Sequence, residues 1–132
     1  MKSLKAFLNP IQVENQKIIV SKRFLEDGKP VEWEVKAITS EENEYLLKKH
    51  MKKDKKGNET FDKLAYMNEM VASCVVYPDL LSADLQKYYG AMGATQLLNK
   101  MLLVGEFAVL SQAVQEISGL QTENELIEEA KN

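Results

Sequence analysis

Over residues 31–37 apolar and polar positions alternate. Val31, Trp33, Val35 and Ala37 fall on one side of an extended chain, and Glu32, Glu34 and Lys36 on the other. That two-residue period marks a half-buried strand. The stretch 17–25 is rich in β-branched and aromatic residues but alternates less cleanly. Between the two, Glu26-Asp27-Gly28-Lys29 supplies a turn in which Gly28 can take a positive φ. Pro30 is tolerable at the start of the second arm. Residues 16–38 thus predict a β-hairpin, or a small antiparallel sheet. Two strands alone are marginal, so the Trp33 face needs a helix, a third strand or a second copy against it. Residues 1–15 have no sustained period and predict an irregular arm, whose Leu4, Phe7, Leu8 and Ile11 can dock on a surface.

From residue 39 onward a helical period takes over. Thr39 or Ser40 can cap a first helix, with Glu41, Glu42 and Glu44 near its positive end and Lys48, Lys49, Lys52 and Lys53 near its negative end. Residues 54–58 read as a polar loop. Residues 61–76 then predict a helix that is apolar on two faces. Phe61, Leu64, Ala65, Val71, Ala72 and Val75 form one stripe, and Tyr66, Met67, Met70, Cys74 and Tyr77 the other. Such a helix is central or is buried by a partner. Pro78 ends it. A short helix starts at Ser82 or Asp84 and stops at Gly90, and another covers 93–103. Gly105 divides that one from a last helix, on which Phe107, Leu110, Val114 and Ile117 share a face before Gly119 caps it. Residues 120–132 read as an acidic, flexible tail. Strands first and helices after argue for an α+β fold in a single domain spanning 1–132: arm 1–15, hairpin 16–38, helical region 39–119 and tail.

Composition changes this picture little. A chain of 132 residues can bury a core without metal or disulfide staples. MKSLKAFLNP lacks the apolar run of a signal peptide, and no stretch approaches the roughly 20 apolar residues that cross a bilayer. With Cys74 as the single cysteine, the expectation is a reducing, cytoplasmic setting without membrane attachment. Charge is uneven: residues 1–56 carry a net +4 and residues 57–132 a net −7. Such a layout can steer partners or head-to-tail self-association, or be an ordinary solvated surface.

Little in the chain points to catalysis. His50 is the only histidine and has no second His or Cys at ligand spacing, so it reads as a surface residue and no metal site is expected. Cys74 lies on an apolar face and reads as core. No Walker loop, GxGxxG or GxSxG occurs, so neither a catalytic set nor a cofactor is expected. The lysine-rich run 48–56 can meet phosphates, but no arginine or aromatic residue interleaves it as base readout requires. Residues 82–103 resemble an αα-hairpin more than a helix-turn-helix, because Lys100 is the only basic residue on the second helix.

What the helical half does offer is adaptable apolar area. Tyr66, Met67, Met70, Tyr77, Tyr88, Tyr89, Met101 and Phe107 are the candidate partner-binding residues, with Met92 a further methionine of the same half. Methionine conforms to varied apolar partners, and tyrosine adds area with a polar tip. A groove lined this way can receive an amphipathic helix, or it can be plain core.

The run Val71-Ala72-Ser73-Cys74-Val75-Val76-Tyr77-Pro78-Asp79-Leu80, then Leu85, Tyr89-Gly90, Leu97-Leu98, Gly105-Glu106-Phe107 and Ile117-Ser118-Gly119, resembles the XkdN-like tail assembly chaperones of phages and prophages. The N-terminal strand pair with its tryptophan is similar as well. One departure is Val104, where the resemblance leads one to expect proline. The resemblance implies a non-enzymatic protein that coats and solubilises the tape measure protein, helps recruit tail tube subunits and is absent from the finished virion; the two-faced helix of residues 61–77 adds the expectation of a homo-oligomer that associates through its helical half. It predicts that charging Met67 and Met70 abolishes solubilisation with the fold intact. The competing readings are a nucleic-acid-associated regulator using Lys48–Lys56, with salt-sensitive DNA binding, and an enzyme of unrecognised type around His50, Cys74 or a carboxylate pair.

Overall fold

The computed structural model describes residues 2–120; the expected acidic tail lies almost wholly outside them. The fold is α+β, as the order of patterns indicates. A three-stranded antiparallel sheet of order β1-β4-β7 is built from β1 (Gln16–Ile18), β4 (Trp33–Val35) and β7 (Val75–Tyr77). Helices α2 (Ser40–Lys49), α3 (Lys63–Ser73), α4 (Ala83–Tyr89), α5 (Ala94–Met101) and α6 (Val104–Ile117) make up the rest, with a short α1 (Lys5–Leu8) in the arm. The core holds Trp33 and Val35 from the sheet, Met70 and Val71 from α3, Leu97 and Leu98 from α5, and Leu110 and Val114 from α6. α3 packs against α2, α5 and α6, which is why it is apolar on two faces.

The hairpin forms, but not as one ladder. β2 (Leu25–Glu26) and β3 (Lys29–Pro30) pair across a two-residue turn. Asp27 and Gly28 both take positive φ there, 53° and 78°, and a turn of that kind matches the twist of the flanking strands. Continued inward, that register would set Lys22 opposite Trp33; instead Ile18 pairs with Trp33 and Gln16 with Val35. The intervening residues leave the ladder because Val20 is drawn into the core and Arg23 is tied to the helical half. That detour explains the weak alternation of the first arm. The strand 33–35 behaves as its pattern demands, with Trp33 and Val35 buried.

Three further strands interrupt the stretch expected to be all helix. α2 starts where expected: Thr39 Oγ1 accepts from Glu42 N–H at 3.1 Å and Glu42 Oε1 accepts from Thr39 N–H at 3.2 Å, a reciprocal cap. It ends at Lys49, four residues early, and β5 (Met51–Lys53) turns back on β6 (Glu59–Phe61). Continuing the helix would stack Lys48 on Lys52 and Lys49 on Lys53, and like charges four apart oppose it. Asp54 Oδ1, accepting from the N–H groups of Lys56 and Asn58, fixes the turn instead. α3 stops at Ser73, and Val75-Val76-Tyr77, β-favouring residues ahead of a proline, pair with β4. β7 is the third strand that the hairpin needs.

The later helices follow their caps. Ser82 Oγ accepts from Leu85 N–H at 3.3 Å, and Gly90 ends α4 in the left-handed conformation. Past α6, Gly119 N–H reaches Glu116 O and Leu120 N–H reaches Gln115 O, the paired bonds of a Schellman end. Gly105 is not the divider expected; it sits in the first turn of α6, and the break falls at Leu102 and Leu103, both extended. Val104 occupies the first helical position, where proline is favoured but not needed. No helix among the described residues is long and apolar enough to cross a membrane.

Candidate functional site

The eight residues singled out from the sequence do not form one face. Met70 and Met101 are core residues, 1% and 6% exposed, and in this fold they offer nothing to a partner. Tyr66, Met67, Tyr89 and Phe107 are half-buried against the core. The Tyr66 hydroxyl donates to Asn43 Oδ1 on α2 and reaches Met70 Sδ at 3.7 Å, and burial pushes its pKa up. Only Tyr77 and Tyr88 are exposed. The neighbours of α3 cover much of both predicted stripes, but Leu64 is 72% exposed on the helix, and Phe61 and Tyr77 beyond its two ends are exposed as well.

The apolar surface lies at element ends instead. Leu81 and Met92 are 77% and 86% exposed and flank a groove of about 480 Å³ between the end of α3, the β7–α4 connection and the start of α5, with Ala72, Val75 and Ala94 in its wall. Leu103, Val104 and Val109 border a second, shallower groove of about 680 Å³ against Val20 and Ser21. Leu81, Leu103 and Val104 were missed because periodicity describes the middle of an element, and these sit in connections and first turns. Their only signal was an apolar residue where a polar loop residue is usual.

The wall of the second groove is fixed by an ion pair. Arg23 Nη2 and Nε donate to Glu106 Oε1 and Oε2 at 2.5 and 2.9 Å, and Nη2 also donates to Met101 O at 3.0 Å. Glu106 Oε1 accepts from Leu103 N–H at 2.8 Å, satisfying a donor at the start of α6. The Arg23 bonds, with help from Ser21 and Leu103 N–H, lower the Glu106 carboxyl from its ordinary 4.5 to about 2. A folded-state value below the unfolded one stabilises above the unfolded pKa, and that contribution is lost as pH falls through the folded one. The urea midpoint of the wild type is therefore expected to exceed that of Glu106→Gln at pH 7. The gap should shrink as pH drops from 4.5 towards 2; urea titrations at several pH values check it.

The groups suspected of chemistry are structural or solvated. Cys74 is buried at the end of α3, and burial pushes its thiol up, away from the reactive thiolate. His50 is half-buried rather than free on the surface, with Nε2 3.3 Å from Glu69 Oε2. Burial alone would raise Glu69, but hydrogen bonds from Lys49, at 2.6 Å, and His50 outweigh it and leave the carboxyl lowered. In the basic run, Lys48 pairs with Glu44 at 3.0 Å and Lys53 with Glu59 at 3.8 Å, so carboxylates answer part of its charge. Among the described residues no group of three or more His, Cys, Asp or Glu could hold a metal.

The family model for the phage XkdN-like tail assembly chaperone protein matches residues 4–131. The chain belongs to that family. The fold is also similar to a solved one, the crystal structure of the protein yqbn. The TM-score is 0.79 at 24% identity, over 92% of this chain and 99% of that one. At that identity the likeness concerns the fold alone. No curated protein matches this XkdN-like chain.

Proposed function

We propose that this tail assembly chaperone binds and solubilises the tape measure protein through the Leu81–Met92 groove, and helps bring tail tube subunits to it. It acts as a homo-oligomer in the host cytoplasm and is shed before the virion is complete. The observation that carries the reading is the pair of almost fully exposed apolar side chains, Leu81 and Met92, flanking one groove in a chain of this family. Exposed apolar residues gathered beside a concavity mark a binding surface more than a stable monomer's exterior. The groove can receive one face of an amphipathic helix, with anchors at helical spacing, and Met92 can repack around different anchors.

The test is coexpression of the tape measure protein with wild type or with Leu81→Glu/Met92→Glu. Both positions are exposed, so the variant is expected to melt within a few degrees of wild type, as surface changes usually do. The soluble tape measure fraction is expected to fall about tenfold, since charge at the centre of an apolar contact typically removes 1–2 kcal/mol or more. Undiminished solubilisation by the folded variant rejects this groove as the binding face.

A further inference from the structure

The N-terminal arm carries apolar residues that the fold leaves uncovered. α1 buries no residue, and Leu4, Phe7, Leu8 and Ile11 each expose two thirds or more of their surface. Leu4, Phe7 and Leu8 lie on one side of the helical turn, and Ile11 follows in the non-helical chain after Asn9 and Pro10; a short apolar segment of this kind can seat in a groove. A four-residue helix alone in water is unstable; such a segment needs a surface to hold it. Lys2 and Lys5 accompany it.

A surface of matching character lies on the same protein. The groove beside α2, about 570 Å³, has Ile38, Tyr45 and Leu46 as its apolar lining and Glu41 and Glu42 on its rim. Tyr45 is two-thirds exposed. The Glu42 carboxylate is held by the Thr39 N–H and hydroxyl, and Lys36 is the positive side chain acting on it; Glu41 stands exposed beside it. Arm and groove coexist in one chain, yet no residue of the arm is buried against it. We propose that the arm of one copy docks in the α2 groove of a second copy, with Phe7 and Leu8 against Tyr45 and Leu46 and Lys5 against Glu41. The contact joins unlike surfaces, so it need not close and can string copies into an open chain, a form suited to covering an elongated partner. It deepens the self-association in the function proposed above. An arm of a dozen residues is smaller than a standard stable interface, so the association is weak and depends on concentration.

Sedimentation of the purified full chain from micromolar to millimolar concentration tests it. Phe7→Asp disables the arm and Tyr45→Glu the groove; both positions are exposed, and thermal melts confirm the fold. Each variant alone is expected to raise the dissociation constant about tenfold or more. An equimolar mixture is expected to form heterodimers that stop at two copies, because one working arm and one working groove remain. Lys5→Glu and Glu41→Lys are each expected to weaken association, and the two together to restore it. A wild type that stays monomeric throughout overturns the proposal, as does association indifferent to both variants, or an arm protected from protease equally at all concentrations. No tape measure protein enters these measurements. A failure here therefore leaves the Leu81–Met92 groove standing, and a failure there leaves this contact standing.

Discussion

Met70→Glu is expected to leave the chain without a cooperative unfolding transition. Met70 is 1% exposed in the centre of α3, with Tyr66 above it and α5 and α6 packed on the same helix. A carboxylate there has no buried cation to pair with among the described residues, since the buried cluster that Met70 belongs to is wholly apolar. Burying an unpaired charge costs several kcal/mol, against a total stability on the order of 5–15 kcal/mol for a domain. Far-UV circular dichroism in a urea titration should show a lost or drastically shifted transition, and most of the product should be insoluble. Met70→Leu, which nearly conserves volume, should cost less than about 1.5 kcal/mol. A Met70→Glu chain that unfolds cooperatively near the wild-type midpoint would contradict the placement of α3. The outcome also separates two uses of methionine: charging Met67 and Met70 together cannot test partner binding, whereas Leu81 and Met92 can be charged in the folded protein.

Trp33→Ala should cost about 3–5 kcal/mol, the range for truncating a large buried aromatic. Trp33 sits on β4, the middle strand, 2% exposed, with its ring 6.0 Å from that of Phe24. Truncation removes the largest side chain of the buried cluster that sheet and helices share and leaves a cavity that a close-packed interior only partly fills. It is the only tryptophan, so circular dichroism must replace fluorescence as the probe. Phe24→Leu, at the half-buried edge of the same pair, should cost distinctly less. A Trp33→Ala loss below about 1 kcal/mol would place that side chain outside the core, against a burial that its alternating neighbours also demand.

Much of the fold was legible from local chemistry. The alternation through Trp33 and Val35 fixed which face of β4 is buried. Thr39, Ser82, Gly90 and Gly119 marked helix ends correctly, because a cap is a bond between a side chain or a left-handed residue and backbone groups a few positions away. The two apolar stripes of α3 correctly announced a central helix. The Asp27-Gly28 turn also formed, though the ladder beyond it slipped by four residues relative to a continuous hairpin. The family, too, was readable in the order of short motifs between Val71 and Gly119.

The candidate site was less legible, and the reason is physical. By itself the sequence determined most of the caps and turns and the apolar content of each helix, all of which depend on spacings within a few residues. Only the tertiary structure decided which apolar residues are left over. Met101 and Met92 are both methionines beside α5, yet one is packed beneath neighbouring helices and the other faces solvent. Likewise Val75-Val76-Tyr77 became a strand because β4 offered an edge to pair with, and Arg23 met Glu106 across 83 positions. Exposure and long-range pairing are properties of how the elements are assembled. A residue's neighbours in the chain specify its own conformation far more tightly than they specify what comes to rest on top of it.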